Sequence, residues 1–289
     1  MDESGEQLPL AGFTPVPAGD RIAPIPLGES TIWVGTCGYS YREWVGPFYP
    51  PATTSGAMLA AYARRFALVE IDATYYRIPG IATFESMAAR TPEGFRFTAK
   101  VPGSLTHLDA NVLEPSFDDA TRFLESIEPL RYAGKLHAGL AQFPNGFRPN
   151  ERARRHLARL REAFGEVPLA VEFRHREWQT AATLALLAEL DLAWVNVDEP
   201  SFPTLLHPSS DVVTSLAYVR FHGRNAGSWW KGDAAERYAY GYSDEELLPW
   251  VGRVAEMSER ARDVYVLFNN HRFGAAPRDA ARFAELLCG

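Results

Sequence analysis

Cysteine is scarce: Cys37 and Cys288 are the only two among 289 residues. They form no CxxC and no zinc-ribbon spacing, which offers no disulfide framework and fits a reducing compartment. No apolar run is long enough to cross a bilayer, so no membrane partner is expected. Residues 1–30 are rich in Pro and Gly, carry Asp2, Glu3 and Glu6, and lack the basic start and apolar core of a signal peptide. They read as a flexible extension on a cytoplasmic protein. Basic residues are outnumbered, 29 Lys and Arg against 36 Asp and Glu, giving a net charge of −7. The chain as a whole has no attraction for nucleic acid, and such a partner would need a local basic patch. GxSxG, GxGxxG and the Walker loop are absent, which disfavours hydrolase-elbow, dinucleotide and P-loop chemistry. Neither HxH nor HExxH occurs, and no repeat of solenoid or propeller type is present.

What the chain does have is apolar content, 46% hydrophobic and 12% aromatic. That is enough for a full core in one α/β barrel, although length alone equally allows two domains. Eight strand candidates follow the extension: Ile32 to Gly38, Ala67 to Ala73, Phe95 to Val101, Leu136 to Phe143, Leu169 to Arg174, Leu192 to Val197, Ala217 to His222 and Val264 to Asn270. Helical periodicity lies between most of them, over Ala57 to Phe66, Phe117 to Leu130, Glu151 to Phe164, Thr180 to Leu190 and Ser243 to Arg262, with a last helix from Pro277 to Leu287. Strands alternating with helices imply a parallel sheet. The arginines of Glu151 to Phe164 lie opposite its apolar stripe and read as a solvated face. Two crossovers are irregular. Glu199 to Ser215 holds Pro200, Pro203 and Pro208 and cannot carry a long helix. Gly223 to Asp263 is long and aromatic in its first half, as a lid over a barrel mouth would be. The expected fold is a (β/α)8 barrel over residues 31–289, with a doubly wound open sheet as the runner-up.

The strand ends carry the chemistry. Leu169 to Trp178, LAVEFRHREW, begins as a buried strand yet places Glu172 and Arg174 on one alternating face, and an unpaired charge there costs several kcal/mol. Choosing that parity throughout turns Thr36, Glu70, Asp72, Thr74, Thr98, Lys100, Gln142, Glu172, Arg174, Asn196, Asp198, Arg220, His222, Asn269 and His271 toward the barrel interior. TCGYSYREW (36–44), VEIDATYYRIP (69–79), FRFTAKVPGSLTH (95–107), LAQFP (140–144), AVEFRHREW (170–178), YVRFHGR (218–224) and YVLFNNH (265–271) resemble, in order, the motifs of domain-of-unknown-function family 72, the YecE-like proteins. The similarity spans Thr31 to Leu287. It implies a TIM barrel and supplies no reaction.

Barrel enzymes gather their residues at the C-terminal mouth, so these side chains are read as a site. The expected chemistry is acid–base catalysis on a small or single-stranded phosphorylated or anionic ligand, with Glu172 or Glu70 as base and His222 or His175 as acid. Lys100, Arg174 and Arg220 would hold negative charge. Tyr39, Trp44, Tyr76, Gln142, Trp178, Asn196, Asp198, Asn269 and His271 complete the expected ligand contacts. Tyr41, Tyr75, Phe143, Trp229 and Trp230 belong to the same aromatic rim, suited to sugars or nucleobases. Gly223, Arg224 and Gly274, in the two Gly-containing loops of the last strands, are expected to bind phosphate. No cofactor is expected; a divalent metal held by His, Asp and Glu from several strands is the alternative. Two readings compete with catalysis: a structural ion-pair network plugging the barrel, and a ligand-binding or nucleic-acid-processing accessory protein that uses the mouth without turnover.

Overall fold

In the computed structural model, which describes residues 21–107, 116–231 and 234–289, nine strands form one sheet that closes on itself. A short strand β1 (Ile25–Leu27) pairs antiparallel with β2 (Ser30–Cys37). From there every pairing is parallel: β3 (Leu68–Ile71), β4 (Arg96–Lys100), β5 (Leu136–Gln142), β6 (Leu169–Glu172), β7 (Leu192–Asp198), β8 (Leu216–Phe221) and β9 (Asp263–Phe268) follow in chain order. β9 returns to pair with β2, with Thr31 opposite Asp263 and Thr36 opposite Phe268. Eight parallel strands, β2 to β9, thus make the closed (β/α)8 barrel. Of the expected extension, residues 1–20 lie outside the described residues. Residues 25–30 depart from it: they form a hairpin with β2, because Ile25 and Leu27 pair with Ile32 and Ser30.

The helices are α1 (Ser55–Ala63), α2 (Ile81–Ala89), α3 (Asp118–Tyr132), α4 (Glu151–Phe164), α5 (Ala181–Glu189), the single turn α6 (Ala234–Arg237), α7 (Asp244–Ser258) and α8 (Ala275–Cys288). Local signals fix several ends. Asn150 caps α4 by accepting from the Ala153 N–H, and Gly165 closes it at φ 55°. Ser243 and Glu246 form a reciprocal capping box on α7. α2 carried too weak a stripe to be read from sequence, since only Phe84 and Met87 are buried along it. Residues 199–215, between β7 and β8, contain neither helix nor strand, as their prolines dictate.

Two strands are turned over relative to expectation: on β2, Thr36 bonds the Tyr62 hydroxyl of α1 outside the sheet, while its neighbour Cys37 meets Arg220 inside. Asp198 accepts from Tyr242 and from Trp250 of α7, and Asn196 accepts from Ser209, so β7 sends both outward. Glu199, two steps from Val197, instead reaches Arg174 inside. Side chains alternate, so a one-residue choice of parity reverses the whole strand. Trp194, its ring tilted against Phe173 at 5.7 Å, marks the correct face.

Candidate functional site at the barrel mouth

Beneath the mouth lies a buried lattice of charge. Arg220 of β8 donates from Nη1 to Glu172 of β6 at 2.6 Å and from Nη2 to Glu70 of β3 at 2.5 Å. Glu70 also accepts from Tyr218 at 2.6 Å, whose hydroxyl is 2.9 Å from Thr98 across the barrel. The second oxygen of Glu172 faces Arg174 Nε at 2.6 Å and His222 Nε2 at 3.3 Å, and Arg174 Nη1 reaches Glu199 at 3.3 Å. Asn269 meets the other His222 nitrogen at 3.1 Å. Arg220 Nη2 also touches the buried Cys37 sulfur at 3.4 Å. Glu70 and Glu172 have no solvent exposure.

This burial separates the acids. It pushes Glu70 up to about 7 against the pull of Arg220, and Glu199 up to about 8 against that of Arg174. For Glu172 burial acts in the same sense, but Arg174, Arg220 and His222 together outweigh it and hold the carboxyl well below its usual range. Burial and Arg174 lower His222 to about 3, so it is a neutral imidazole. The consequence for stability has a definite sign. Glu70 and Glu199 keep protons in the fold that the unfolded chain gives up near 4.5. Their contribution is complete below that pH and is lost as pH rises through 7 and then 8. His222 acts oppositely: its folded value is depressed, so stability falls as pH drops below 6.5. Denaturant unfolding followed from about pH 6 to about pH 9 should therefore show stability declining toward the alkaline end, and Glu199→Gln should flatten that decline. An unchanged decline in the variant would show that Glu199 is ionised throughout.

Above the lattice opens a cavity of about 520 Å³. Arg220 and Asp72 reach it from below, Lys100, Gln142 and Arg174 from neighbouring strand ends, and Asn269 and His271 from the end of β9. Its walls are Tyr41, Tyr75, Tyr76 and His107 together with Trp229, Trp230, Arg237 and Tyr238. Lys100, Arg174, Arg220 and Arg237 thus face Asp72, the one carboxylate among the described lining residues. Asp72 lies 3.8 Å from Arg220 Nη2, with its side chain a quarter exposed. Its buried Oδ1 has no hydrogen-bond partner among the described residues, and neither has Arg220 Nε. His271 stacks flat on Tyr41 at 4.7 Å and turns Nδ1 toward Glu43 at 3.3 Å.

Other expected contacts are placed elsewhere. Tyr39 is off the cavity; its carbonyl accepts from Tyr49. Trp44 is buried with its indole N–H on the His271 carbonyl, and Trp178 is stacked on Phe173 with its N–H on the Phe147 carbonyl. Phe143 packs beside Phe147 and Phe173 in the core. His175 caps the turn that follows it through Glu177 N, and Arg148 donates to its other nitrogen. The expected acid–base group Glu70, Glu172, His175 and His222 therefore contains no member of the cavity lining.

In the expected phosphate loops, Gly223 and Arg224 have partners within the chain. Arg224 is held bidentately by Asp198, at 2.9 and 2.7 Å, and by Glu246 at 3.2 Å. Gly223 spends its N–H on the Tyr242 hydroxyl, and a β-carbon there would sit 2.6 Å from that of Tyr240. Gly274 is buried before α8 in a left-handed conformation, φ 76°. Among the lining residues left out of the expected ligand contacts are His107, Arg237 and Tyr238, and Asp72 was expected only as an interior side chain. Asp72 was legible from parity, while Arg237 and Tyr238 come from an irregular loop with no period to read. Among the described residues, no three His, Cys, Asp or Glu side chains converge to hold a metal ion.

Comparison with known proteins gives the family. The model for "Protein of unknown function DUF72" matches residues 33–288. UPF0759 protein YunF of Bacillus subtilis (strain 168) is 33% identical, over 89% of this chain and 94% of its own. A DUF72 family protein from Thermotoga maritima MSB8 superimposes with a TM-score of 0.81 at 37% identity, covering 89% of this chain and 99% of that one. A second, from Enterococcus faecalis V583, gives 0.79 at 30% identity over 89% and 96%. A D-psicose 3-epimerase solved in the presence of D-fructose shares the fold at TM-score 0.51 and 12% identity.

Proposed function

The chain belongs to the DUF72 family, and within that family we propose that it is an enzyme performing acid–base chemistry on a small anionic ligand in the barrel mouth. One observation carries the reading: four cationic side chains and a single carboxylate line one cavity among the described residues. Arg220 and Arg174 are held rigid from below, so their outer edges form a preorganised anion platform that needs no rearrangement on binding. Asp72, beside Arg220 and with an orphan oxygen, is the base placed to take a proton from a ligand lying on that platform. His271, fixed by Tyr41 and Glu43, is the group placed to return it. Glu70 and Glu172 act by positioning the arginines and do not touch the ligand. A lone lining carboxylate argues against glycoside hydrolysis by paired acids.

A second reading, binding without turnover, is favoured by the full burial of Glu70 and Glu172. The primary test is paired: phosphorylated compounds and their dephosphorylated forms are titrated against wild-type protein and Lys100→Gln. Phosphorylated members should bind more tightly than their dephosphorylated forms, and Lys100→Gln should narrow that difference. Equal affinity for both members of each pair would remove the anionic ligand from the reading.

A further inference from the structure

The four lining cations are not equivalent. Arg220 is paired with Glu70 and Glu172, and Arg174 with Glu172 and Glu199. Lys100 and Arg237, by contrast, have no ion pair among the described residues. Lys100 lies 4.5 Å over the Tyr75 ring and Arg237 6.0 Å over the Trp229 ring. Arg237 Nε is moreover buried without a hydrogen-bond partner.

Their places in the barrel are opposed. Lys100 ends β4, and Arg237 sits on the loop that follows β8, four strands away around an eight-stranded ring. The Thr98–Tyr218 hydrogen bond, 2.9 Å across the interior, shows that these two strands face each other. Two unpaired cations on opposite walls of a partly desolvated cavity raise its energy unless each meets an anion. Between them lie the platform of Arg220 and Arg174 and the base Asp72.

Resting on the functional reading above, we infer that the ligand is anionic at both ends: a sugar-sized compound carrying two phosphates, one seated by Lys100 and the other by Arg237. The aromatic rings behind each cation flank the ligand's middle, and the reacting atoms lie over Asp72. The volume of about 520 Å³ suits a compound of that size. A single phosphate would leave one wall uncompensated.

Calorimetric titration with butanediol or hexanediol bisphosphate and with butyl phosphate tests this. In wild-type protein the better-fitting bisphosphate should bind about 100-fold more tightly than butyl phosphate, since the second end binds at high effective concentration. Lys100→Gln and Arg237→Gln should each erase that advantage. Each should change the affinity for butyl phosphate only about twofold, because the monophosphate still has the other end to use. Equal affinities of wild-type protein for bisphosphate and monophosphate would overturn the two-ended ligand and leave the anionic-ligand reading standing. Failure of both probes to bind would overturn the two together. Preference for single-stranded oligothymidylate over every bisphosphate would replace the small ligand by nucleic acid. Both variants remove a side chain that makes no ion pair among the described residues, and an unchanged melting temperature confirms their folding.

Discussion

Glu172→Gln should lose about 3–5 kcal/mol of stability, the cost of breaking a buried ion pair from one side, and should lose anion binding with it. At this chain length the melting temperature would fall on the order of 10 °C. Arg174 and Arg220 hold the buried Glu172 carboxyl well below its usual range, and it has both oxygens on guanidinium groups, Arg220 at one and Arg174 at the other. Glutamine presents an amide NH2 to one of those arginines, donor against donor, and leaves the positive charge without its main counterion. Glu199, whose carboxyl is raised partly by the Glu172 charge, should titrate lower in the variant. Chemical denaturation at neutral pH, with ligand titration beside it, measures both effects. Wild-type stability together with retained binding would mean that the Glu172 contacts carry no energy.

Arg220→Met should be equally damaging and more dependent on pH. It removes the contacts to Glu70 at 2.5 Å and Glu172 at 2.6 Å, together with the nearest cation to Asp72. Without that charge Glu70 moves above its present value of about 7 and enters its neutral form. The destabilisation should therefore be smaller near pH 6 than near pH 8, because the proton that Glu70 requires is supplied freely at the lower pH. Adding Glu70→Gln should recover stability without restoring ligand binding, since the double variant removes a stranded carboxylate but not the missing platform. Arg220→Lys should not substitute, because one ammonium cannot span two carboxylates as a guanidinium does. A loss of stability constant with pH would show that Glu70 is not coupled to Arg220.

Much of this was legible in the chain. The apolar runs and their alternation with helices give the eight barrel strands, and the charge within Leu169 to Trp178 points to the Glu172, Arg174 and Arg220 lattice. Depth was not legible. Parity says that Glu70, Glu172 and Asp72 share the interior, but only the layering of the barrel shows that the first two lie under Arg220 and Asp72 lies above. β7 failed because both of its faces carry polar residues, Asn196 and Asp198 on one and Glu199 on the other, so alternation could not choose. The Gly223 and Arg224 loop failed because its arginine found a buried acceptor, Asp198, whose orientation depended on that same strand. The aromatic rim divided by packing: Tyr76 and Trp230 stay exposed at the mouth, while Trp44 and Trp178 are core.

The central claim is that the mouth performs acid–base chemistry on an anionic ligand through Asp72. Its most direct measurement incubates wild-type protein and Asp72→Asn with a panel of phosphorylated and carboxylated compounds and follows each by mass spectrometry. The account predicts that at least one compound is converted by the wild type, that Asp72→Asn converts it about 100-fold or more slowly, and that the variant still binds it. Conversion by Asp72→Asn at the wild-type rate would contradict the account, and so would binding by the wild type with no compound converted.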